Sequence, residues 1–236
     1  MTKNQLAEAR AAVEESKKYL DKASQKYPAS HLLKKDRVVN LSKLGTLFSQ
    51  EGDFVKAAET FSSGIALVDE LLAAKVSLPA NYRMIMCNKL GEVFETTEQW
   101  SEAEAAFGEG LSDARRISEA DPSNPVATRD LGIALQHQGD VARKQQRIDE
   151  AEAFYQEALM LRRTLAESDR MHALNQVDLA RTCYFMGEVA VMREQDEAAR
   201  KYFNEALTIL KPFEERGVLV STEDRLLWEL VQESTN

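Results

Sequence analysis

Cysteine, proline and glycine are all scarce in this sequence, and each scarcity excludes a class of structure. The only two cysteines, Cys87 and Cys183, lie far apart and outside any cysteine-histidine cluster, so neither a disulfide framework nor a zinc site is suggested. Ten glycines and five prolines are few for 236 residues, and runs of β-branched and aromatic residues are rare. The good helix formers Ala, Glu, Leu, Lys, Arg and Gln dominate instead, so composition alone predicts a mostly α-helical protein.

An excess of positive charge and long apolar runs are missing as well. The net charge is −9 and the pI about 5.1, whereas a non-specific nucleic-acid binder needs a basic surface to displace counterions. No stretch approaches the roughly 20 apolar residues of a membrane span. The polar N-terminus has no apolar run behind it, so no signal peptide is predicted. We therefore expect a cytoplasmic protein with reduced thiols and with no nucleic-acid or membrane partner.

No pattern that carries catalytic chemistry is present either. The sequence has no phosphate-binding glycine loop, no GxSxG and no HExxH, and its serines, histidines and aspartates form no recognisable triad. The three histidines, His31, His137 and His172, share no metal-like spacing with each other or with acidic pairs, so we interpret them as surface residues. The sequence thus predicts a protein that is not an enzyme and has no cofactor and no metal.

Apolar residues at helical spacing, separated by turn signals, predict about ten helices. In chain order the predicted segments are 3–27, about 30–50, 54–74, 79–98, 100 to the Asp121-Pro122 connector, two helices from 125 dividing near 146, two helices over 173–216 dividing near 195, and 223–232.

Several single residues mark the predicted helix ends. Ser30 and Asn124 are suitable N-caps, since a short polar side chain can accept hydrogen bonds from free amides of the first turn. Gly52 and Gly217 are suitable stops, and Pro212 should kink or end the ninth helix. The last helix contains Leu226, Leu227, Trp228, Leu230 and Val231, a stretch too apolar to face water, so we expect it to cover the end of the core.

One spacing pattern occurs four times. Four glycines recur at steps of 46 to 48 residues, and each is followed after twelve residues by alanine, after sixteen by an aromatic and after nineteen by a second small residue. The glycines are Gly45, Gly91, Gly139 and Gly187; the alanines Ala57, Ala103, Ala151 and Ala199; the aromatics Phe61, Phe107, Tyr155 and Phe203; the second small residues Gly64, Gly110, Ala158 and Ala206. Two antiparallel helices approach closely only where side chains are small, so each unit of the pattern predicts one packed helix pair. A single pair cannot bury its own apolar faces, and the pairs must stack.

This pattern resembles the tetratricopeptide repeat family over about residues 38–211. Leu44-Gly45-Thr-Leu-Phe48 and Leu90-Gly91-Glu-Val-Phe94 match the Leu-Gly-x-x-Tyr core of that repeat, although the leading tryptophan and the closing proline are absent. The resemblance implies an all-α, right-handed α-solenoid of antiparallel helix pairs that acts as a protein-interaction module.

The repeat period departs from the family, whose usual period is about 34 residues. The extra residues fall outside the constant glycine-to-alanine spacing, so each helix is expected to gain about six or seven residues. Such long repeats resemble bacterial arrays attached to signalling proteins and, more distantly, kinesin light chains. We predict one domain over 1–236: an N-terminal helix at 1–29, repeats at 30–77, 78–122, 123–170 and 171–217, and a capping helix at 218–236. The N-terminal helix is either half of a degenerate repeat or a cap.

In this family the first helix of each pair lines a concave groove, and helical geometry selects the residues that should point into it. The predicted partner-binding residues are Ser42, Thr46 and Gln50; Asn88, Glu92 and Glu95; Gln136, Asp140 and Arg143; and Arg181, Tyr184 and Glu188. We expect this surface to hold a peptide or helix of a protein partner of unknown identity. A peptide-sensing regulatory protein, and an adaptor that self-assembles or forms a homodimer through its terminal helices, are the alternatives.

Overall fold

The computed structural model describes residues 3–219 and 221–235, and this part of the chain forms ten α-helices and no strand. The helices are α1 Lys3–Lys26, α2 His31–Glu51, α3 Phe54–Ala73, α4 Tyr82–Thr96, α5 Trp100–Ala120, α6 Pro125–Lys144, α7 Ile148–Ser168, α8 Ala173–Met192, α9 Asp196–Glu215 and α10 Thr222–Thr235.

Most of the predicted helix ends are confirmed. The hydroxyl of Ser30 accepts a hydrogen bond from the amide of Leu33, and Asn124 Oδ1 accepts from the amides that follow Pro125, the first residue of α6. Gly52 and Gly217 adopt φ values of +79° and +65°, the left-handed conformation that glycine reaches without steric strain.

Two prolines do not coincide with helix ends. Pro79 does not open α4: its carbonyl accepts the amide of Tyr82 in a preceding turn, 3.2 Å away, and the helix starts at Tyr82. Pro212 does not end α9, which continues to Glu215. The last turn holds because Phe213, only 4% exposed, is anchored in the core and outweighs the missing amide.

The chain divides into two compact units, Met1–Ile117 and Ser118–Asn236. In unit 1, α1 packs on α2, α2 on α3 and α3 on α4. In unit 2, α6 to α10 pack in the same sequential manner, around a core that includes Leu159, Met186, Phe203 and Leu210. The sequential packing of neighbouring pairs is the arrangement that the repeat predicts.

The repeated glycines and aromatics meet inside each helix pair. A Cβ atom placed on Gly45 would lie 2.7 Å from the Phe61 ring, and one on Gly91 would lie 2.5 Å from Phe107. Gly139 faces Tyr155 in the same way, and Gly187 faces Phe203. The ring therefore occupies the space that a side chain would need, which explains why these four positions carry glycine.

The long period lengthens the helices in three of the four repeats. α2, α3 and α5 to α9 contain 20 or 21 residues, as expected from the added residues. α4 is the exception with 15 residues, because part of the added chain forms the connection between Ala73 and Tyr82.

The C-terminal helix covers the core of unit 2 with part of its apolar stretch. Leu227 and Val231 are buried at 5% and 0% exposure, and Trp228 and Leu230 pack against the same core. Leu226 was expected to be covered too, but it points outward and is 54% exposed. Three helical turns can present only one side to the core, so one leucine of the stretch is left outside.

Candidate interaction surfaces on the first helices

In unit 1 the first helices α2 and α4 enclose a small apolar pocket of about 150 Å³. Ser42 lines it together with Val39 and Ile85. The hydroxyl of Thr46 donates to the Ser42 carbonyl, 3.0 Å away, so it is satisfied within its own helix. Gln50 is exposed on the same helix.

The predicted residues of α4 divide between the open face and the pair interior. Glu92 is half-buried and forms an ion pair with Lys89, 2.7 Å between Oε2 and Nζ, and Glu95 is half-buried as well. Asn88, in contrast, is only 8% exposed and its Oδ1 atom has no hydrogen-bond partner. This oxygen lies against Gly110 of α5, where any Cβ would clash with it, so the Asn88 amide faces the second helix rather than the open side of α4.

In unit 2 the predicted residues of α6 belong to one hydrogen-bonded cluster. Tyr155 of α7 donates its hydroxyl to Asp140 Oδ1 at 2.6 Å, and Gln136 Nε2 donates to Asp140 Oδ2 at 3.4 Å. Gln136 Oε1 accepts from Arg162 Nη1 at 2.8 Å. The side chains on the inner face of α6 are thus held in place by α7 behind them.

Arg143 links α6 to α8. Its Nη1 atom lies 3.3 Å from Glu188 Oε2, and its guanidinium stands over the Phe185 ring, 5.4 Å from the centroid. Phe185 in turn stacks on Tyr155 with ring planes 14° apart. The Arg143 and Glu188 side chains keep 18% and 34% exposure, so this pair is supported from inside and accessible from outside.

One fully enclosed member of the cluster, Arg162, is absent from the sequence prediction. It is 2% exposed and its Nη1 atom also donates to the Asp178 carbonyl, 3.0 Å away, and to the Thr182 hydroxyl. Burial lowers the pKa of Arg162 to about 10, which leaves the guanidinium charged at neutral pH. Gly132 of α6 lies beside it, and a Cβ there would make an ordinary van der Waals contact with Arg162 Nε at 3.4 Å.

The remaining predicted residues lie on α8. Arg181 pairs with Asp224 of α10 at 3.6 Å. Tyr184 is 8% exposed, and burial, helped by the negative charge of Glu188, raises the pKa of its hydroxyl to about 12. Tyr184 is therefore a neutral hydrogen-bonding and packing residue at physiological pH.

The two cysteines lie on the inside of their helices. Both thiols are free and buried. Burial raises the pKa of Cys87 to about 12, and it raises the pKa of Cys183 further above that of an ordinary thiol. Both are therefore protonated at neutral pH, whereas reactive cysteines need thiolate character.

Asp140 gives the cluster a pH dependence. Burial raises the pKa of its carboxyl in the folded protein, and the Tyr155 hydrogen bond and Arg143 only partly offset this. Because the Asp140 pKa is higher in the folded than in the unfolded protein, where it is about 3.9, protonation of this carboxyl favours the folded state. This stabilisation is fully present below the unfolded-state pKa and is lost as pH rises through the folded-state pKa. The stability advantage of the wild type over Asp140→Asn should therefore shrink from pH 4 to pH 7, as measured by urea unfolding. A constant difference would contradict this assignment; Asp21→Asn, an exposed aspartate of α1, is the control.

No group of three or more His, Cys, Asp or Glu side chains able to hold a metal ion occurs within 3–219 and 221–235. No helix in the described part of the chain combines the length and apolarity that crossing a membrane requires.

Comparisons with known proteins agree with this geometry. Residues 133–165, which hold most of α6 and α7, match the family model of the tetratricopeptide repeat, so the resemblance seen in the sequence is confirmed. None of the curated proteins matches this sequence. The crystal structure of BtubC (BKLC) from P. vanneervenii is similar with a TM-score of 0.67 at 14% identity, covering 97% of this chain and 84% of that one. A putative kinesin light chain of Podosopora anserina with nearly identical TPR-like repeats gives a TM-score of 0.45 at 14% identity, covering 84% of this chain and 94% of that one. The predicted all-α, tetratricopeptide-like repeat fold is confirmed.

Proposed function

We propose that this tetratricopeptide-like repeat protein is a non-enzymatic, cytoplasmic interaction module that holds a peptide or helix of a protein partner on α6 and α8. Tetratricopeptide repeats are in general protein-interaction scaffolds, and the matched segment 133–165 supplies α6 to this surface. The observation that carries the proposal is the cluster of Gln136, Asp140, Arg143 and Glu188, four predicted residues that meet in unit 2.

Preorganisation supports this role. Asp140 is fixed by the Tyr155 hydroxyl, and Arg143 is fixed by the Phe185 ring beneath it and by Glu188 beside it. Side chains already held in one geometry lose little conformational entropy when a partner binds. A rigid polar face is therefore better suited to recognition than a set of freely moving surface charges.

Hydrogen-bonding capacity remains for a partner. A guanidinium has five N–H donors, and the bonds of Arg143 to Tyr155 and Glu188 leave several of them available. Glu188 uses Oε2 for Arg143 and keeps lone pairs for a backbone amide. Both signs of charge and both donor and acceptor groups are thus offered side by side, which suits an extended peptide backbone.

Apolar contact area lies at the end of the same helix. Val191 and Met192 of α8 are 53% and 37% exposed, although both are apolar. Interfaces commonly join such an apolar contact to a polar surround. Val191 also gives a position where the surface can be changed without disturbing the core.

The test is an affinity capture from native cell extract read by mass spectrometry. The variant Lys144→Glu/Val191→Glu changes two exposed residues at the ends of α6 and α8. We expect it to lower capture of a specific partner by at least about tenfold, the equivalent of roughly 1.4 kcal/mol. Circular dichroism and urea unfolding should stay as in the wild type, because neither side chain belongs to the core.

A matched control exists on the second helices. Lys201→Glu/Met160→Glu makes the corresponding lysine-to-glutamate and apolar-to-glutamate changes at exposed positions of α9 and α7, and should leave capture unchanged. If the two variants capture the partner equally well, the assignment of the binding surface to α6 and α8 is wrong. Equal capture would shift support to an adaptor that self-assembles through α10, where Leu226 is exposed, and would leave the peptide-sensing alternative without a site.

A further inference from the structure

A second surface in unit 1 has the shape and charge of a docking groove. It has a volume of about 420 Å³ and lies between α3 and α5, with α4 as its floor. It differs from the first-helix surfaces, because both of its walls are second helices of their pairs.

The walls of this groove are lined by small side chains. Ala66 on α3 and Ala105 on α5 face it and are exposed. Below them Ile65, Leu90 and Phe94 form an apolar floor. The small walls leave room for an apolar side chain of a partner to reach that floor.

The rim of the groove is acidic. Asp69, Glu102 and Glu109 line it against one cation, Arg83, so the lining carries an excess of two negative charges (three minus one). Arg83 already shows what these carboxylates bind: its Nε lies 2.6 Å from Asp69 and its Nη2 lies 2.5 Å from Glu109. The Asp69 and Glu109 side chains remain 50% and 55% exposed, so they can accept a second cation from outside.

The repeat itself provides an internal comparison. With Gly45 aligned on Gly139 and Gly91 on Gly187, the corresponding surface of unit 2 lies between α7 and α9. There Ala66 corresponds to Met160, Ala105 to Lys201 and Ala106 to Tyr202; the counterparts of Asp69 and Glu109 are Arg163 and Glu205.

The unit 2 counterpart has larger wall residues, since Met160 and Lys201 stand in place of the two alanines, and Arg163 Nη2 reaches Glu205 Oε1 directly, 2.8 Å away. The fold would give both units a groove at this place, and the repeat alone does not require small walls. The small walls of the groove are therefore a specific property of the unit 1 sequence.

We propose that this groove docks a basic amphipathic helix of a partner protein. An apolar side chain of that helix inserts between Ala66 and Ala105 onto Leu90 and Phe94. A lysine or arginine one turn away binds the exposed carboxylates of the rim. Charge complementarity selects this partner: the protein as a whole carries −9, and the groove concentrates carboxylates around an apolar floor.

The test uses three synthetic helical peptides of about 14 residues that share one leucine stripe and carry Lys, Gln or Glu on the polar face. Fluorescence anisotropy with the full chain should show the Lys peptide binding at least about tenfold more tightly than the Glu peptide. The variant Ala66→Met/Ala105→Lys, which installs the residues found in unit 2, should weaken Lys-peptide binding by about tenfold or more.

Three controls separate the possible causes of such a loss. Ala66→Met/Ala105→Met blocks the groove without adding charge and should also weaken binding. Met160→Ala/Lys201→Ala alters the unit 2 counterpart and should not. Lys144→Glu/Val191→Glu should leave Lys-peptide binding intact, which distinguishes this groove from the α6–α8 surface. The proposal is overturned if the Lys peptide fails to bind, binds no better than the Glu peptide, or binds the groove-blocked variants as it binds the wild type.

Discussion

Replacing Arg162 by alanine is expected to lower the free energy of unfolding by about 2–5 kcal/mol, as the truncation of other large buried side chains does. The side chain is 2% exposed and joins three helices through Gln136 of α6 and Asp178 and Thr182 of α8. Without it, Gln136 Oε1 and the Thr182 hydroxyl lose their charged donor, while the Asp178 carbonyl still accepts from the Thr182 hydroxyl, and a cavity replaces the long side chain. Urea unfolding measured by circular dichroism gives the value directly.

Two further variants test the cause of this loss. Arg163→Ala removes the adjacent arginine of α7, whose side chain is 45% exposed and pairs with Glu205; it should cost no more than about 1 kcal/mol. Arg162→Met keeps most of the side-chain volume, so its loss in the free energy of unfolding should lie between those of Arg162→Ala and Arg163→Ala. If Arg162→Ala lowers the free energy of unfolding no more than Arg163→Ala does, the buried hydrogen bonds of Arg162 do not stabilise unit 2.

Arg162 also shows where the sequence prediction stopped. The register of the four glycines correctly places Gln136, Asp140 and Arg143 on one side of α6, since these spacings depend on one helix only. Arg162 of α7 reaches the same side from behind. This contact depends on how the helices pack on one another, which helical periodicity does not specify. The extra glycine at position 132 was no signal either, since a Cβ there would meet Arg162 only at an ordinary contact distance of 3.4 Å.

Asn88 is a second residue whose surroundings depend on the neighbouring helix and not on its own helix alone. Its position relative to Gly91 predicts that it faces the open side of α4, as Gln136 does on α6. In the structure the amide turns towards α5, because the glycine at 110 leaves a space where alanines stand at the corresponding positions 158 and 206. The sequence therefore predicts helices, turns and helix pairing well. It predicts the direction of a side chain only where the facing helix leaves space on one side alone.

Substitution of the glycine that recurs in every helix pair is expected to have the second large effect on stability. Gly91→Ala is expected to destabilise the protein by about 1–3 kcal/mol, as overpacking of a filled core does. A Cβ at this position would lie 2.5 Å from two atoms of the Phe107 ring, which is fully buried and has nowhere to move. In an open helix the same change would stabilise by about 1 kcal/mol, so the expected sign is opposite to that of helix propensity.

Phe107→Leu supplies the decisive comparison for Gly91→Ala. Leucine removes the ring atoms that the new methyl group would touch, so the loss in the double variant should be smaller than the sum of the two single losses. Contacting residues typically show coupling of about 0.5–3 kcal/mol, and we expect a value within this range measured by urea unfolding of all four proteins. Strict additivity would mean that the ring is not what requires glycine here. A double-variant loss smaller than the sum of the single losses would identify the glycine–aromatic contact as the reason for the fourfold repeat, since Gly45, Gly139 and Gly187 meet their rings in the same way.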